Sequence, residues 1–370
     1  MTIVPTRTIS TCAALALVGG SLLVAAPAHA APAPVPGCGA VLTEDARLTR
    51  DLTCPTGDGL VLTDGVTLDL RGHTLRGGGD GTALRVPNLG DVAVRNGTVR
   101  GWGTGLRTDD AWFEAGGRVV VDRVTFRGNG VALDTSGVLG ATGKRHDVAR
   151  STFVDNGRGM SGVYGQAHVV RSTFTGNRTG VDVITGGVWL EDSRLRGNGT
   201  GVSCDESGCL VERTHVVGGD VGIAVRTFGA DVVDSVLADN DVAFDSFAVW
   251  GSSSVERTVF RRNGTGVRTS ASNLRLVAST FRGNGTGFTD VGGGGEESFV
   301  VLLDGNRFER NGDGVVTEQP GTSLKGNTAH RNRGWGIYAP AATDLGGNRA
   351  TGNGRSPQCV GVVCDGHPRS

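Results

Sequence analysis

The chain has 370 residues, 20% of them charged, and a formal net charge of −1. That balance speaks against a nucleic-acid partner, which requires a strongly basic surface. Sixty-three Gly against 12 Phe, 5 Trp and 2 Tyr point to many tight turns around a slim core, and argue against a pair of large globular domains.

Residues 1–30 read as a secretory signal peptide. Arg7 is the positive end, residues 13–26 the apolar stretch, and Ala28-His29-Ala30 a small-residue cleavage site. The stretch is short for a membrane span and no later segment is apolar enough, so none is expected. The reading is of a secreted, extracellular protein. Loss of the signal removes Cys12 and leaves three local pairs: Cys38 with Cys54, Cys204 with Cys209, and Cys359 with Cys364. An oxidising compartment fits the even count. A metal site in the CxxxxC spacing is the alternative, but no histidine stands near it, so sequential disulfides are expected.

Residues 31–37 form a Pro/Ala leader, and residues 38–60 are expected to cap the open end of a stack of repeats. From Gly65 onward the phrase Phe-x-Gly-Asn-x-x-Gly builds up and then returns regularly. Its Asn stands at Asn129, Asn156, Asn177, Asn198, Asn240, Asn263, Asn284, Asn311, Asn332 and Asn353, with Gly219 in one slot and Trp102 in the slot before the series. A spacing near 21 residues, occasionally stretched, means one structural unit stacked many times. Eight residues before the Asn every member is a branched aliphatic, Val121 through Val169 and Leu190 to Leu345. Three before it stand Phe126, Phe153, Phe174, Leu195, Val216, Leu237, Phe260, Phe281 and Phe308, tapering to Ala329 and Ala350. Four after it come Val181, Val202, Ile223, Phe244, Val267, Phe288 and Val315. These are the inward positions of three short strands per coil. The Asn is expected in a left-handed corner between the second and third strands, bonding its neighbours above and below. A second polar column, Ser151, Ser172, Ser193, Thr214, Ser235, Thr258, Ser279, Asn306, Asn327 and Asn348, predicts another ladder. Extra length at 103–117, 134–146 and 289–299 should bulge outward as loops. Residues 359–370 are a disulfide-tied tail.

The repeated Asn and the aliphatic and aromatic columns resemble the right-handed parallel β-helix repeat proteins, the superfamily of pectate lyases, polygalacturonases and mannuronan epimerases. The resemblance covers residues of about 38 to 358 and implies an all-β, single-stranded parallel β-helix of about 14 coils with an Asn ladder. It also implies a secreted protein that recognises extracellular polysaccharide along the outer face of its first strand.

On that face Glu191 falls beside Glu212, with His168, Trp189 and Asp231 around them. Paired carboxylates can serve acid/base chemistry or hold Ca²⁺, and Trp189 offers a flat surface to a sugar ring. Glu191, Glu212 and Asp231 are the catalytic candidates; Asp147, His168, Trp189, Arg150 and Arg171 are the substrate-binding ones. In the pectate-lyase pattern, Asp147, Glu191, Glu212 and Asp231 with Arg150 or Arg171 would be the acidic set and its base. Arg123, Arg150 and Arg171 form a stack that suits an anionic sugar chain, whereas Arg171, Asp192, Arg213, Asp234 and Arg257 alternate in sign like a structural ladder. Any exposed solenoid face carries such charges for solubility alone. The polygalacturonase motifs are not present as a set, Asp109-Asp110 standing alone, and the epimerase Asp-Pro-His-Asp is absent. Binding without established catalysis is therefore the leading reading. A polysaccharide lyase or glycoside hydrolase is the second, and a structural or adhesive surface spacer the third.

Overall fold

One repeat of the sequence makes one turn of backbone. The computed structural model describes residues 32–87, 90–109, 117–137, 145–248, 250–270, 272–292 and 299–365. The expected signal peptide, Asp110 and the middles of the three expected loops lie outside the described residues. In one representative coil the strands Gln166–Val170, Thr173–Thr175 and Thr179–Ile184 follow one another. Each pairs in parallel with its counterpart one coil on, with Val169 against Leu190, Phe174 against Leu195 and Val181 against Val202. Among the described residues there is no helix. First and second strands share a 27-stranded sheet, and third strands stack into a 15-stranded one. The result is a right-handed parallel β-helix of about 14 coils.

The three inward columns are buried as their spacing requires, and like lies on like. Phe153 and Phe174 stack with centroids 4.4 Å apart, Phe260 and Phe281 at 4.5 Å, and Phe281 and Phe308 at 4.6 Å. The last Gly of the phrase lets the backbone pass close to the next coil, its carbonyl and, where present, its ring. A Cβ on Gly159 would lie 2.5 Å from the Gly180 carbonyl oxygen and 2.7 Å from Cδ1 of Phe174 in the next coil, so the chain can pass them only without a side chain.

Both polar ladders form. Asn177 donates to Asn198 Oδ1 from its amide N–H (3.0 Å) and from Nδ2 (2.9 Å), and Nδ2 also reaches the Phe153 carbonyl at 3.0 Å. Trp102 substitutes at the start of the series: its N–H donates to Asn129 Oδ1 (3.0 Å) and its indole Nε1 to the Leu75 carbonyl (3.3 Å). In the second ladder the Ser151 N–H donates to Ser172 Oγ at 3.2 Å, and the pattern continues through Asn306, Asn327 and Asn348. The bonds to backbone N–H and carbonyl groups satisfy polar atoms that would otherwise be buried unpaired, and the Nδ2 to Oδ1 bonds tie one side chain to the next.

The corners differ from expectation in one respect. The ladder Asn residues are not left-handed; the residue before each is. Non-glycine Asp155, Asp239 and Arg262 hold φ of 55–57° there. A second left-handed corner lies between first and second strands, where Arg150, Arg171, Asp192, Arg213, Asp234 and Arg257 hold φ of 46–50°.

At the ends the repeat loosens. Residues 38–60 include strands Val41–Leu42, Ala46–Arg47 and Leu52–Cys54, each in register with the next coil, so this stretch is itself a coil. The expected loop at 103–117 begins with a strand, Thr104–Thr108. Leu345, expected inside, is 51% exposed. Leu324 pairs with Asp344, a slip of one residue, and a one-residue slip turns a side chain to the opposite face. The three expected disulfides, Cys38–Cys54, Cys204–Cys209 and Cys359–Cys364, are all present. No described helix is long and apolar enough to cross a membrane.

Candidate functional site

A groove of about 660 Å³ opens on the first-strand face of the middle coils. It crosses the strands Gln166–Val170, Gly187–Glu191, Gly208–Glu212 and Gly229–Val233. Side chains alternate along each strand. Ala167, Val188, Cys209 and Ala230 turn inward and are buried. His168, Trp189, Leu210 and Asp231 project outward as one wall, and Gln166, Gly187, Gly208 and Gly229 form the outward column next to it. Arg145 closes one end, and Phe228 and Ser252 border the other.

The groove exists because its floor has no side chains. Gly229 is structurally required, since a Cβ there would press into the Ser252 backbone carbonyl. Gly187 and Gly208 are not. A Cβ on Gly208 meets nothing within 4 Å, and one on Gly187 meets only the Gly208 carbonyl at 3.5 Å. Neither holds a positive φ. Glycine inside a strand costs about 0.5–1 kcal/mol relative to alanine, and here no close contact or turn requires it. Beside this bare strip the Trp189 ring, 40% exposed, stacks on His168 with centroids 4.4 Å apart and planes 21° from parallel. His168 Nε2 lies 3.2 Å from Glu191 Oε2, which holds the imidazole flat beneath the indole.

Glu191 stands beside Glu212 as the columns place it, with the Arg213 guanidinium between the two carboxylates. Its Nη2 bonds Glu191, its Nη1 bonds Glu212, and its Nε donates to Asp192 Oδ1 at 2.9 Å. Neither glutamate lines the groove. Asp231 does, apart from both. Partial burial by the groove walls pushes its carboxyl up, a hydrogen bond from the Ser254 backbone opposes this, and the charge of Glu256 adds to the rise. Among the described residues no three His, Cys, Asp or Glu side chains converge to hold a metal ion, so Asp147, Glu191, Glu212 and Asp231 do not form a Ca²⁺ cluster.

The remaining candidates divide similarly. Asp147 lies off the groove, bonded to Arg145 and Arg118. Burial pushes its carboxyl up, but those two hydrogen bonds outweigh burial and hold it below the usual carboxylate range. Arg150 and Arg123 share the one carboxylate of Asp122, at 2.6 Å and 3.2 Å, so the expected stack of guanidinium groups is only partly neutralised. Arg171 makes no ion pair among the described residues, and it too lies outside the groove lining. Of the eight candidates, His168, Trp189 and Asp231 line the groove. Arg145, Gln166, Phe228 and the glycine floor were missed. The signal was legible eleven residues before the Asn: Arg145, Gln166, Gly187, Gly208, Gly229 and Ser252 form an outward column with three glycines in succession.

No family model matches the chain, and no curated protein matches its sequence. Among solved structures it is similar to the periplasmic alginate epimerase AlgG, at 12% identity over 84% of this chain and 77% of that one, with a TM-score of 0.38. It is also similar to the catalytic unit of the thermostable GH87 α-1,3-glucanase from Streptomyces thermodiastaticus strain HF3-3. There the identity is 14% over 85% of this chain and 62% of that one, with a TM-score of 0.45, so this chain spans less than two thirds of the glucanase unit. Similarity at this level carries no argument about the site.

Proposed function

We propose that the protein is exported and binds a polysaccharide laid along the groove of its first-strand face. One observation carries this reading: an exposed, stacked Trp189 stands beside a floor kept bare by Gly187 and Gly208, two glycines that no close contact requires. A sugar ring presents an apolar face to an indole, and its hydroxyls fit the sparse polar groups around it, Arg145, Gln166, His168, Asp231 and Ser252. The signal-like first 30 residues and the three disulfides support export.

Binding without catalysis is favoured because Glu191 and Glu212 are engaged by Arg213, and Asp231 is the only carboxylate lining the groove among the described residues. A lyase or hydrolase is the second reading, and one observation favours it: Asp231 faces the groove with its proton affinity raised, as a general acid requires. The test is a glycan array scored for both retention and cleavage. Trp189→Ala should abolish retention while leaving the melting temperature unchanged. Product release dependent on Asp231 would favour the enzyme. Absence of both retention and cleavage would leave only the rigid spacer.

A further inference from the structure

Taking the groove as the proposed glycan site, we infer that its ligand is an uncharged glycan, held against Trp189 with Asp231 accepting hydrogen bonds from its hydroxyls. The distribution of charge around the groove carries this. Arg145 is the only guanidinium in the lining among the described residues. It sits at one end, its Nε donating to Asp147 Oδ1 at 2.8 Å while Arg118 bonds the other oxygen. Among the described residues two guanidinium groups thus share one carboxylate there, which leaves a surplus positive charge at the rim. Beside the middle of the groove the balance reverses, because Arg213 faces three carboxylates, Glu191, Glu212 and Asp192. At the far end Asp231 has no ion pair among the described residues, and Glu256, though bonded to Arg257 and Arg275, still acts on it as a negative charge. His168 is turned to Glu191.

Successive coils are ~4.8 Å apart, well inside the Debye length of ~10 Å at 0.1 M salt. A polyuronate or sulfated chain lying along the axis would therefore place several anions against the carboxylates of the middle and far coils, with Arg145 at the edge and Arg171, outside the lining, as the cations to offset them. An uncharged chain meets no such repulsion. An ionised Asp231 can only accept, and it opens onto the groove, so it is matched by the donors an uncharged sugar has in abundance, its hydroxyl groups.

The test is affinity electrophoresis of the full chain in gels containing dextran, amylose, xyloglucan, polygalacturonate or alginate. At least one of the three uncharged polymers should retard the protein and neither polyuronate should. Retardation should persist as salt is raised to about 0.5 M, where surface charge effects are screened. Asp231→Asn should weaken it by about tenfold or more, the usual consequence of losing a hydrogen bond to a charged group. An anionic ligand predicts the opposite sign, because removing the Asp231 charge would tighten binding. Retention by a polyuronate that Trp189→Ala and Arg145→Gln both abolish would overturn this inference and leave the groove as a glycan site. Retention by none of the five, or retention that ignores Trp189→Ala, would overturn the groove reading and this inference with it.

Discussion

Gly208→Val distinguishes a floor kept bare for a ligand from a glycine kept for the fold. Position 208 points outward from a first strand, a Cβ there has nothing within 4 Å, and its backbone is not left-handed. Replacing the glycine removes an unfolded-state entropy cost of about 0.5–1 kcal/mol, and a β-branched residue suits a strand. Stability should therefore rise, by about 1–3 °C in Tm. The same side chain would fill the strip between Gly187 and Gly229, its register partners. A ligand lifted off roughly 60 Å² of floor loses about 1.5 kcal/mol at ~25 cal/mol per Å², a little over tenfold in affinity. Circular dichroism melts and glycan retention on the same sample read the two effects. A fall in Tm would show that the glycine is structural, and unchanged retention would show that nothing lies on the floor.

Phe174→Ala should cost ~3–5 kcal/mol, because the ring is fully buried and stacked on Phe153, whereas Thr173→Ala, facing outward, should cost under ~1 kcal/mol in urea unfolding. Similar losses from both would mean the alternation along the second strand is wrong. Asn198→Ala removes the acceptor for two donors of Asn177 and the donor to the Phe174 carbonyl. At about 1–3 kcal/mol for each buried group left unpaired, a loss of more than ~2 kcal/mol is expected, and a surface-like loss would refute a buried ladder. Asp245 is buried between Arg226 and Arg268. Burial pushes its carboxyl up, but the two arginines outweigh that and lower it below its ordinary value. Because the folded-state affinity for the proton is depressed, its contribution is complete above the unfolded value of about 3.9 and is lost as pH falls through the folded one. The stability difference between wild type and Asp245→Asn should thus be flat from neutral pH to about 4 and close below that. A difference that closes near neutrality would contradict the ion pairing.

The fold was legible because a solenoid turns sequence separation directly into stacking. Once the Asn positions are aligned, Val169 must lie beside Leu190 and Phe153 beside Phe174, and each column is apolar or polar as a whole. Where the period breaks, that reading ends. Gly219 looks like a vacant rung that an Asn would complete, yet a Cβ there would press into the Asn198 carbonyl. Leu345 counts as inward, and a one-residue slip puts it in water. The site was legible only in part. Columns place Glu191 beside Glu212 but cannot say that an Arg213 side chain from the corner will lie across both, because long side chains choose partners by reach and direction in space. Nor does a row of glycines in text announce a groove. Period and polarity in the chain determined the coil, its ladders, its disulfide partners and the face on which His168, Trp189 and Asp231 stand. Which of those charges remain open to a ligand, and that Gly187 and Gly208 leave room for one, depends on distances between atoms of different coils, and only the tertiary structure decided it.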